Sequence, residues 1–337
     1  MFALALAAAL SHAPSDNLAR VESAIRLFQT SRATIESKVG KSQALDIASR
    51  LLRDEEYLQQ PAPQAYVADW NDALNADVAL DVQSVVDLAA GKRRAIEPGV
   101  TGLYETFVTS SVDGIWIPVA VYVPRSAKPG GPLALMLHGN TQPETNFLGQ
   151  PYFRRLADRT GTVLVAPWAR GTYDYQGVAE NDVYDALHAA QQVFGTNPKR
   201  TYLVGYSMGG FSLFKLGPAY RQWTAVMDVS GALMDASASN IAFAWRDTPV
   251  YVVTGKRDTV VPAAYPEQTA TVLAAMGVPT SFYEQPAGDH ALRTLYPALT
   301  SAWLDMHAGV VHSGSVPKPT AMGLPKMARI GSDAMKP

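Results

Sequence analysis

Residues Thr201-Tyr202-Leu203-Val204-Gly205-Tyr206-Ser207-Met208-Gly209-Gly210 run from an apolar, β-branched segment into Gly-x-Ser-x-Gly and resume as Phe211-Ser212-Leu213-Phe214. That order reads as a buried strand, a tight turn and a helix start. Gly205 and Gly209 flank the serine where neighbouring backbones come too close for a Cβ, so Ser207 is expected at the apex in a strained conformation. Its hydroxyl would stand near the positive end of the following helix, in the position of a nucleophile. Alone, the pattern arises by chance in roughly one chain in ten of this length, with glycine near 7% of residues. Its neighbours in the sequence must therefore carry the argument.

The period before and after it is that of an α/β protein. Apolar runs at Leu133 to Leu137, Thr162 to Ala166, Thr201 to Gly205, Ala225 to Val229, Pro249 to Thr254 and Ser281 to Glu284 read as strands. Helical stretches separate them: Phe153 to Asp158, Asn181 to Phe194, Met208 to Leu216, Tyr265 to Met276 and Leu292 to His307. Continuous apolar strands alternating with amphipathic helices imply a mostly parallel central sheet covered by helices on both faces. Thr101 to Ser110 and Ile115 to Val123, around Val112-Asp113-Gly114, read as an opening antiparallel hairpin. In such sheets the ligand sits beyond the carboxyl ends of the strands, so the loops there hold the candidate residues.

Ahead of the sheet, Ser15 to about Gly91 is helical in period, interrupted at Pro61 and Pro63. No chemical motif lies within it, and packing against the flank of the main domain is expected rather than a lid. The domain reading is therefore a leader or apolar helix start at 1–13, a helical extension at 14–98, the catalytic domain at 99–310 and a solvated tail at 311–337. Met1 to Leu10 is apolar and followed by Ser11-His12-Ala13, which suits an export signal to the periplasm or exterior but lacks its positive first region. Without such a signal the chain would be cytoplasmic.

With 337 residues, a net charge of −2 and no cysteine, the chain has no basic stripe for nucleic acid, no polybasic anchor and no thiolate chemistry. No stable membrane insertion, cofactor or metal is expected, and the partner is a small or polymer-linked substrate.

Two later loops complete a relay in the order Ser, Asp, His. Asp258 follows the strand Tyr251 to Thr254 within Gly255-Lys256-Arg257-Asp258, and His290 follows the last strand within Pro286-Ala287-Gly288-Asp289-His290. A carboxylate there holds an imidazole in the tautomer that accepts the serine proton. Of the other histidines, His12 lies in the leader, His188 in mid-helix, His307 at a helix end where a charged ring would suit the dipole, and His312 in the tail. His138, in Leu137-His138-Gly139-Asn140, is expected to shape its turn. The amide of Asn140, or of Gly139, joins that of Met208 as the expected oxyanion donors. Trp168, Arg170, Tyr173 and Tyr175 follow a strand end and, with Tyr206, are candidates to touch substrate. Asp182 is expected to cap or begin the next helix.

In combination, Gly205-Tyr206-Ser207-Met208-Gly209-Gly210, His138-Gly139-Asn140, Arg257-Asp258 and Gly288-Asp289-His290 resemble the nucleophile elbow, oxyanion turn, acid loop and histidine loop of the α/β-hydrolase fold over roughly Thr101 to Met306. Ser207-Met208-Gly209-Gly210 and Ala166-Pro167-Trp168-Ala169-Arg170-Gly171 are similar to esterases related to the catalytic domain of prolyl oligopeptidases, feruloyl-esterase-like members included. No β-propeller fits the short helical extension, and the His-Gly-Gly-Gly of another esterase branch is missing. The segment from Ala232 to Asp247 has room for one short helix, so no large cap is expected. The resemblance implies a serine hydrolase of carboxylic esters. A small serine peptidase or acylaminoacyl hydrolase, and a non-catalytic binding protein on the same fold, are the alternatives.

Overall fold

Describable residues in the computed structural model are 14–62, 66–92, 99–171, 174–219, 223–234 and 237–318. The leader, Tyr173 and the end of the tail lie outside them. Two compact units emerge: residues 1–63 with 67–197, and residues 64–66 with 198–337.

In the first unit, helices α1 (Pro14–Val39), α2 (Lys41–Gln59) and α3 (Val67–Ala89) make up the extension. The break at Pro61 falls between α2 and α3, as a residue lacking its N–H requires. Strands β1 (Gly102–Thr109) and β2 (Trp116–Val123) pair antiparallel from Gly102↔Val123 to Thr109↔Trp116. β3 (Leu133–Leu137) is followed by helix α4 (Pro151–Thr160) and by β4 (Val163–Pro167), which pairs parallel with β3 and antiparallel with β2. The strand order is β1-β2-β4-β3. Helix α5 (Val178–Phe194) starts three residues before the expected Asn181, because Gly177 takes the N-cap position with a backbone (φ 61°, ψ −121°) that few other residues adopt. Asp182 is therefore inside the helix rather than at its start.

The extension is built into this unit by polar contacts as well as apolar ones. Thr145 Oγ1 donates to the Ala73 carbonyl at 2.8 Å, Gln150 Nε2 to the Asp69 carbonyl at 2.9 Å, and the Trp116 amide to Asp46 Oδ2 at 3.1 Å. Arg50 pairs with Asp81, Glu105 and Glu144, and Arg53 with Asp77 and Glu144.

The second unit holds β5 (Thr201–Tyr206), helix α6 (Met208–Leu216), β6 (Ala225–Val229), helix α7 (Ala238–Trp245), β7 (Val250–Gly255), helix α8 (Ala264–Ala275), β8 (Thr280–Gln285) and helix α9 (Tyr296–Ala308). β5, β6, β7 and β8 pair parallel in that order. All residues of β5, β6 and β7 are buried, the signature of strands covered on both faces. α7 is the one helix between β6 and β7 among the described residues, so the segment there carries no large cap. Leu292–Leu295 forms a separate 3₁₀ turn rather than the first turn of α9, whose own start has a proline. At the edge strand β8, Ser315 Oγ accepts the Phe282 amide at 2.8 Å and Ser281 Oγ accepts that of His312. The first part of the tail thus straps an open strand edge. No helix among the described residues is long and apolar enough to cross a membrane.

Candidate active site

Ser207 stands between β5 and α6 at φ 52° and ψ −114°, a conformation costing on the order of 1–3 kcal/mol for a residue with a Cβ. The turn is fixed on both sides. The Ser207 amide donates to the Val229 carbonyl on β6 at 2.9 Å, and the Ser207 carbonyl accepts the Phe211 amide at 2.9 Å, starting the helix. A Cβ at Gly205 would lie 2.3 Å from the Gly209 carbonyl oxygen. A Cβ at Gly210 would lie 2.5 Å from Asp228 Oδ1 and 2.8 Å from the Gly231 Cα. The glycine after Gly209 is thus also obligatory, for its approach to the loop following β6.

His290 Nε2 lies 3.1 Å from Ser207 Oγ, and His290 Nδ1 lies 2.7 Å from Asp258 Oδ2. The other oxygen of Asp258 accepts the amides of Val260 and Val261 at 2.9 and 2.8 Å. With one oxygen fixed by its own turn, the carboxylate aims the other at the imidazole. Nδ1–H then donates to Asp258, which leaves Nε2 as the acceptor facing the serine.

Two neighbouring loops hold this register. The Arg257 amide donates to the Gly288 carbonyl at 2.8 Å and the Lys256 amide to that of Gln285 at 3.0 Å. A Cβ at Gly255 would sit 2.5 Å from the Asp289 carbonyl oxygen. Asp289 Oδ1 accepts from the Ala291 amide and from Thr294 Oγ1 at 2.9 and 2.7 Å, which ties the chain around His290 into a closed turn. The Tyr206 hydroxyl donates to the His290 carbonyl at 2.8 Å, and its ring lies 5.2 Å from the imidazole. At 2% exposure Tyr206 supports the histidine from beneath instead of facing substrate as expected. The ring of Tyr66, a half-buried residue, also lies against the imidazole, 6.0 Å between centroids. Gly255, Asp289, Thr294 and Tyr66 were not singled out for this from the sequence. Gly255, which ends the apolar strand β7 just before the acid loop, was the readable hint.

The remaining candidates lie in the first unit. His138 is fully buried, and its Nδ1 and Nε2 each meet a backbone carbonyl at 2.8 Å, those of Gly139 and Trp168. Burial holds its pKa below the ordinary histidine value. It shapes the turn, as expected. The Gly139 amide donates to Asn146 Oδ1 at 3.2 Å, which leaves Asn140 as the open donor of the two. Tyr175 is 2% exposed, with its hydroxyl on the His138 carbonyl. Trp168 is partly exposed and lies 5.3 Å under the Arg53 guanidinium. Arg170 is taken up by structure rather than left to bind substrate: Nε donates to Asp182 at 2.6 Å and Nη1 to Asp113 at 2.7 Å. Asp113 is held down to about 2, above all by that hydrogen bond from Arg170. Back in the second unit, burial lowers His307 to about 4, so at neutral pH it carries no charge for the helix dipole. Its Nδ1 instead bonds the Trp303 carbonyl at 2.8 Å.

Asp54, Asp77 and Asp81 bring one oxygen each within 4.8 Å of one another, close enough for one cation among the described residues. Arg50 and Arg53 already pair with two of the three, and none belongs to the loops around Ser207.

The model of the alpha/beta hydrolase family matches residues 134–331. Among solved structures the chain is similar to the substrate-bound fluorophosphonate-binding serine hydrolase F of Staphylococcus aureus, with a TM-score of 0.52, 17% identity, and 62% of this chain and 99% of that one covered. Against an esterase of the archaeon Pyrobaculum calidifontis the TM-score is 0.51 and the identity 17%, with 64% and 88% covered. Against a ferulic acid esterase they are 0.52 and 14%, with 61% and 97% covered. No curated protein sequence matches the chain. At such identities the likeness is one of fold.

Proposed function

This chain belongs to the alpha/beta hydrolase family, and on that basis we propose that it is a serine esterase, cleaving carboxylic esters through an acyl-enzyme with Ser207, His290 and Asp258. The observation that carries this reading is the continuous contact from Ser207 Oγ to His290 Nε2 at 3.1 Å and from Nδ1 to Asp258 at 2.7 Å, at a serine held in a strained turn. Ser207 Oγ attacks the ester carbonyl as its proton passes to His290 Nε2. Asp258 stabilises the imidazolium, and the amide of Met208, at the start of α6, receives the developing oxyanion. Such a donor is worth roughly 3–4 kcal/mol of the barrier. His290 returns the proton to the departing alkoxide, which leaves as the alcohol. A water then repeats the sequence on the acyl-enzyme and frees the acid. Esters are preferred to amides in this reading because the sequence around the serine resembles esterases.

The test is covalent labelling by a fluorophosphonate together with turnover of p-nitrophenyl acetate and an aminoacyl anilide. Label is expected on Ser207, with faster turnover of the ester, and Ser207→Ala should abolish labelling and lower turnover by about 10⁶. A purified, folded Ser207→Ala protein with near-native activity would end the reading.

A further inference from the structure

β6 reads Ala225-Val226-Met227-Asp228-Val229, and the aspartate in it is fully buried. Side chains at paired positions of neighbouring strands share a face of the sheet. Asp228 therefore lies with Leu203 and Gly205 of β5 and with Val250, Val252 and Thr254 of β7, none of which ionises. Helix α6 packs against β5 and β6, and its one ionisable residue, Lys215, is exposed. A carboxyl in such surroundings costs stability that an apolar residue would not. The contacts of its Oδ1 show what the chain gains from it. Oδ1 accepts the Gly231 amide at 3.0 Å. A Cβ at Gly210 would lie 2.5 Å from this oxygen, and a Cβ at Gly231 would collide with it and lie 2.5 Å from the Gly210 carbonyl carbon. The carboxyl is thus wedged between the first turn of α6 and the loop after β6.

The strand positions beside it hold the same turn. The Val229 carbonyl accepts the Ser207 amide, and Ser230, at φ 48°, bends the chain toward Gly231. Gly210 stands in the same helical turn as Met208, whose amide is the proposed oxyanion donor. Resting on the esterase reading above, we infer that Asp228 is a positioning residue, the spacer that fixes the first turn of α6 against the loop after β6 and so sets the Met208 amide within hydrogen-bond reach of the oxyanion. It does this without charge. Oδ2 is buried and meets no partner among the described residues. Burial, opposed only by the Gly231 amide, drives the carboxyl well above the ordinary carboxylate range. A carboxylate there would set negative charge beneath the amide that receives the oxyanion and oppose its task.

Full-length variants are compared by kcat on p-nitrophenyl acetate, divided by the fraction of Ser207 that a fluorophosphonate labels at completion. Partial unfolding lowers that fraction but not the turnover of each labelled site, so a merely structural role leaves the quotient unmoved. Asp228→Ala removes the spacer and should lower the quotient about 10²-fold, the cost of misplacing a group by about 1 Å. Asp228→Asn, neutral and of the same shape, should hold it within about threefold of wild type. The same variant should lose the infrared carbonyl band of one protonated carboxyl at about pH 7, well above the range where an ordinary aspartate holds its proton. Asp228→Ser, shorter but polar, is read in the same way as Asp228→Ala if the latter does not fold. The assignment is overturned if the shortened variant stays within about threefold of wild type, if Asp228→Asn falls as far as the shortened one, or if Asp228→Asn loses no such band. Wild-type label and turnover with an unmoved Asp228→Ala remove only the role of Asp228, whereas a wild-type protein with neither label nor turnover removes the esterase reading and this inference together.

Discussion

At Gly255 a single hydrogen atom in place of a side chain lets the acid loop lie against the histidine loop. A methyl there would press on the Asp289 carbonyl oxygen at 2.5 Å and the Gly288 carbonyl carbon at 2.6 Å, both backbone atoms that cannot turn aside. The histidine loop would have to retreat, stretching the 2.7 Å contact between Asp258 and His290. A displacement of about 1 Å costs a reacting constellation on the order of 10²-fold. Gly255→Ala is expected to lower kcat/KM for an ester by at least that factor while the protein still melts cooperatively; a variant within threefold of wild type would show that the loops can adjust. Asp258→Asn tests the tautomer, with an expected loss of about 10⁴ in kcat. Ser207, Asp258 and His290 were legible in the sequence because each lies within five residues of the carboxyl end of a strand, β5, β7 and β8, and their order is fixed by the sheet. Tyr66 was not, because nothing in the local period of residues 60–70 reports a contact to a residue more than two hundred positions away. Tyr206 was misread for a related reason: a residue beside the nucleophile faces either the site or the support beneath it, and only burial separates the two.

Among the elements, α2 and α3 carry a feature that hydrophobic periodicity hides. Asp54, Asp77, Asp81, Glu105 and Glu144 are all buried around the guanidiniums of Arg50 and Arg53, so carboxyl groups outnumber cations. Desolvation, the largest effect on Asp77, pushes it up to about 7, while Arg53 opposes the rise. Asp54 is raised well above the ordinary carboxylate range by desolvation and then by Asp81 and Asp77. Glu144 goes the other way, because Arg53 and Arg50 together outweigh its desolvation, the largest single effect on it. Glu105 is likewise raised well above the ordinary carboxylate range, by desolvation above all, so burial holds both Asp54 and Glu105 toward the neutral form. The sign follows from the raised values. A carboxyl whose folded pKa lies above its unfolded one stabilises fully below the ordinary carboxylate range, near pH 4, and this contribution is lost as pH rises through the folded value. Stability from the raised carboxyls therefore declines as pH rises above about 4, through about 7 for Asp77, and Asp54→Asn, neutral at every pH, should flatten that decline. At pH 8 the variant is expected to melt roughly 2–4 °C above wild type, about 1 kcal/mol in a domain of this size; a lower melting temperature at pH 8 would show that Asp54 is needed as an anion. The helices themselves and nearly all strands were readable from their periods. The charged interior was not, since Arg and Asp at helical spacing read equally well as a solvated face.

For the whole chain, the question is whether the helical extension is an accessory that can be removed. Its apolar faces alone would suggest a moderate cost, because buttressing area lost to water weakens a domain in proportion to its size. The ion pairs change that estimate. Deleting residues through Gly91 removes Arg50 and Arg53, leaving Glu105 on β1 and Glu144 without the cations that compensate their burial. Removing one partner of a buried pair typically costs 3–5 kcal/mol, and two such losses reach the whole stability of an ordinary domain, about 5–15 kcal/mol. The deletion also takes the helix residues whose carbonyls receive Thr145 and Gln150. The truncated chain is accordingly expected to show no cooperative calorimetric transition and to bind a hydrophobic dye. Full-length Arg50→Met should already melt well below wild type, and adding Glu105→Gln to it should recover part of the loss, most at high pH where burial no longer keeps the carboxyl of Glu105 protonated. If the truncated chain instead melts cooperatively within a few degrees of the intact protein, the buried arginines are dispensable and the extension is an ornament on a self-sufficient fold. If Glu105→Gln fails to restore any stability to Arg50→Met, the loss comes from packing rather than from an uncompensated carboxylate.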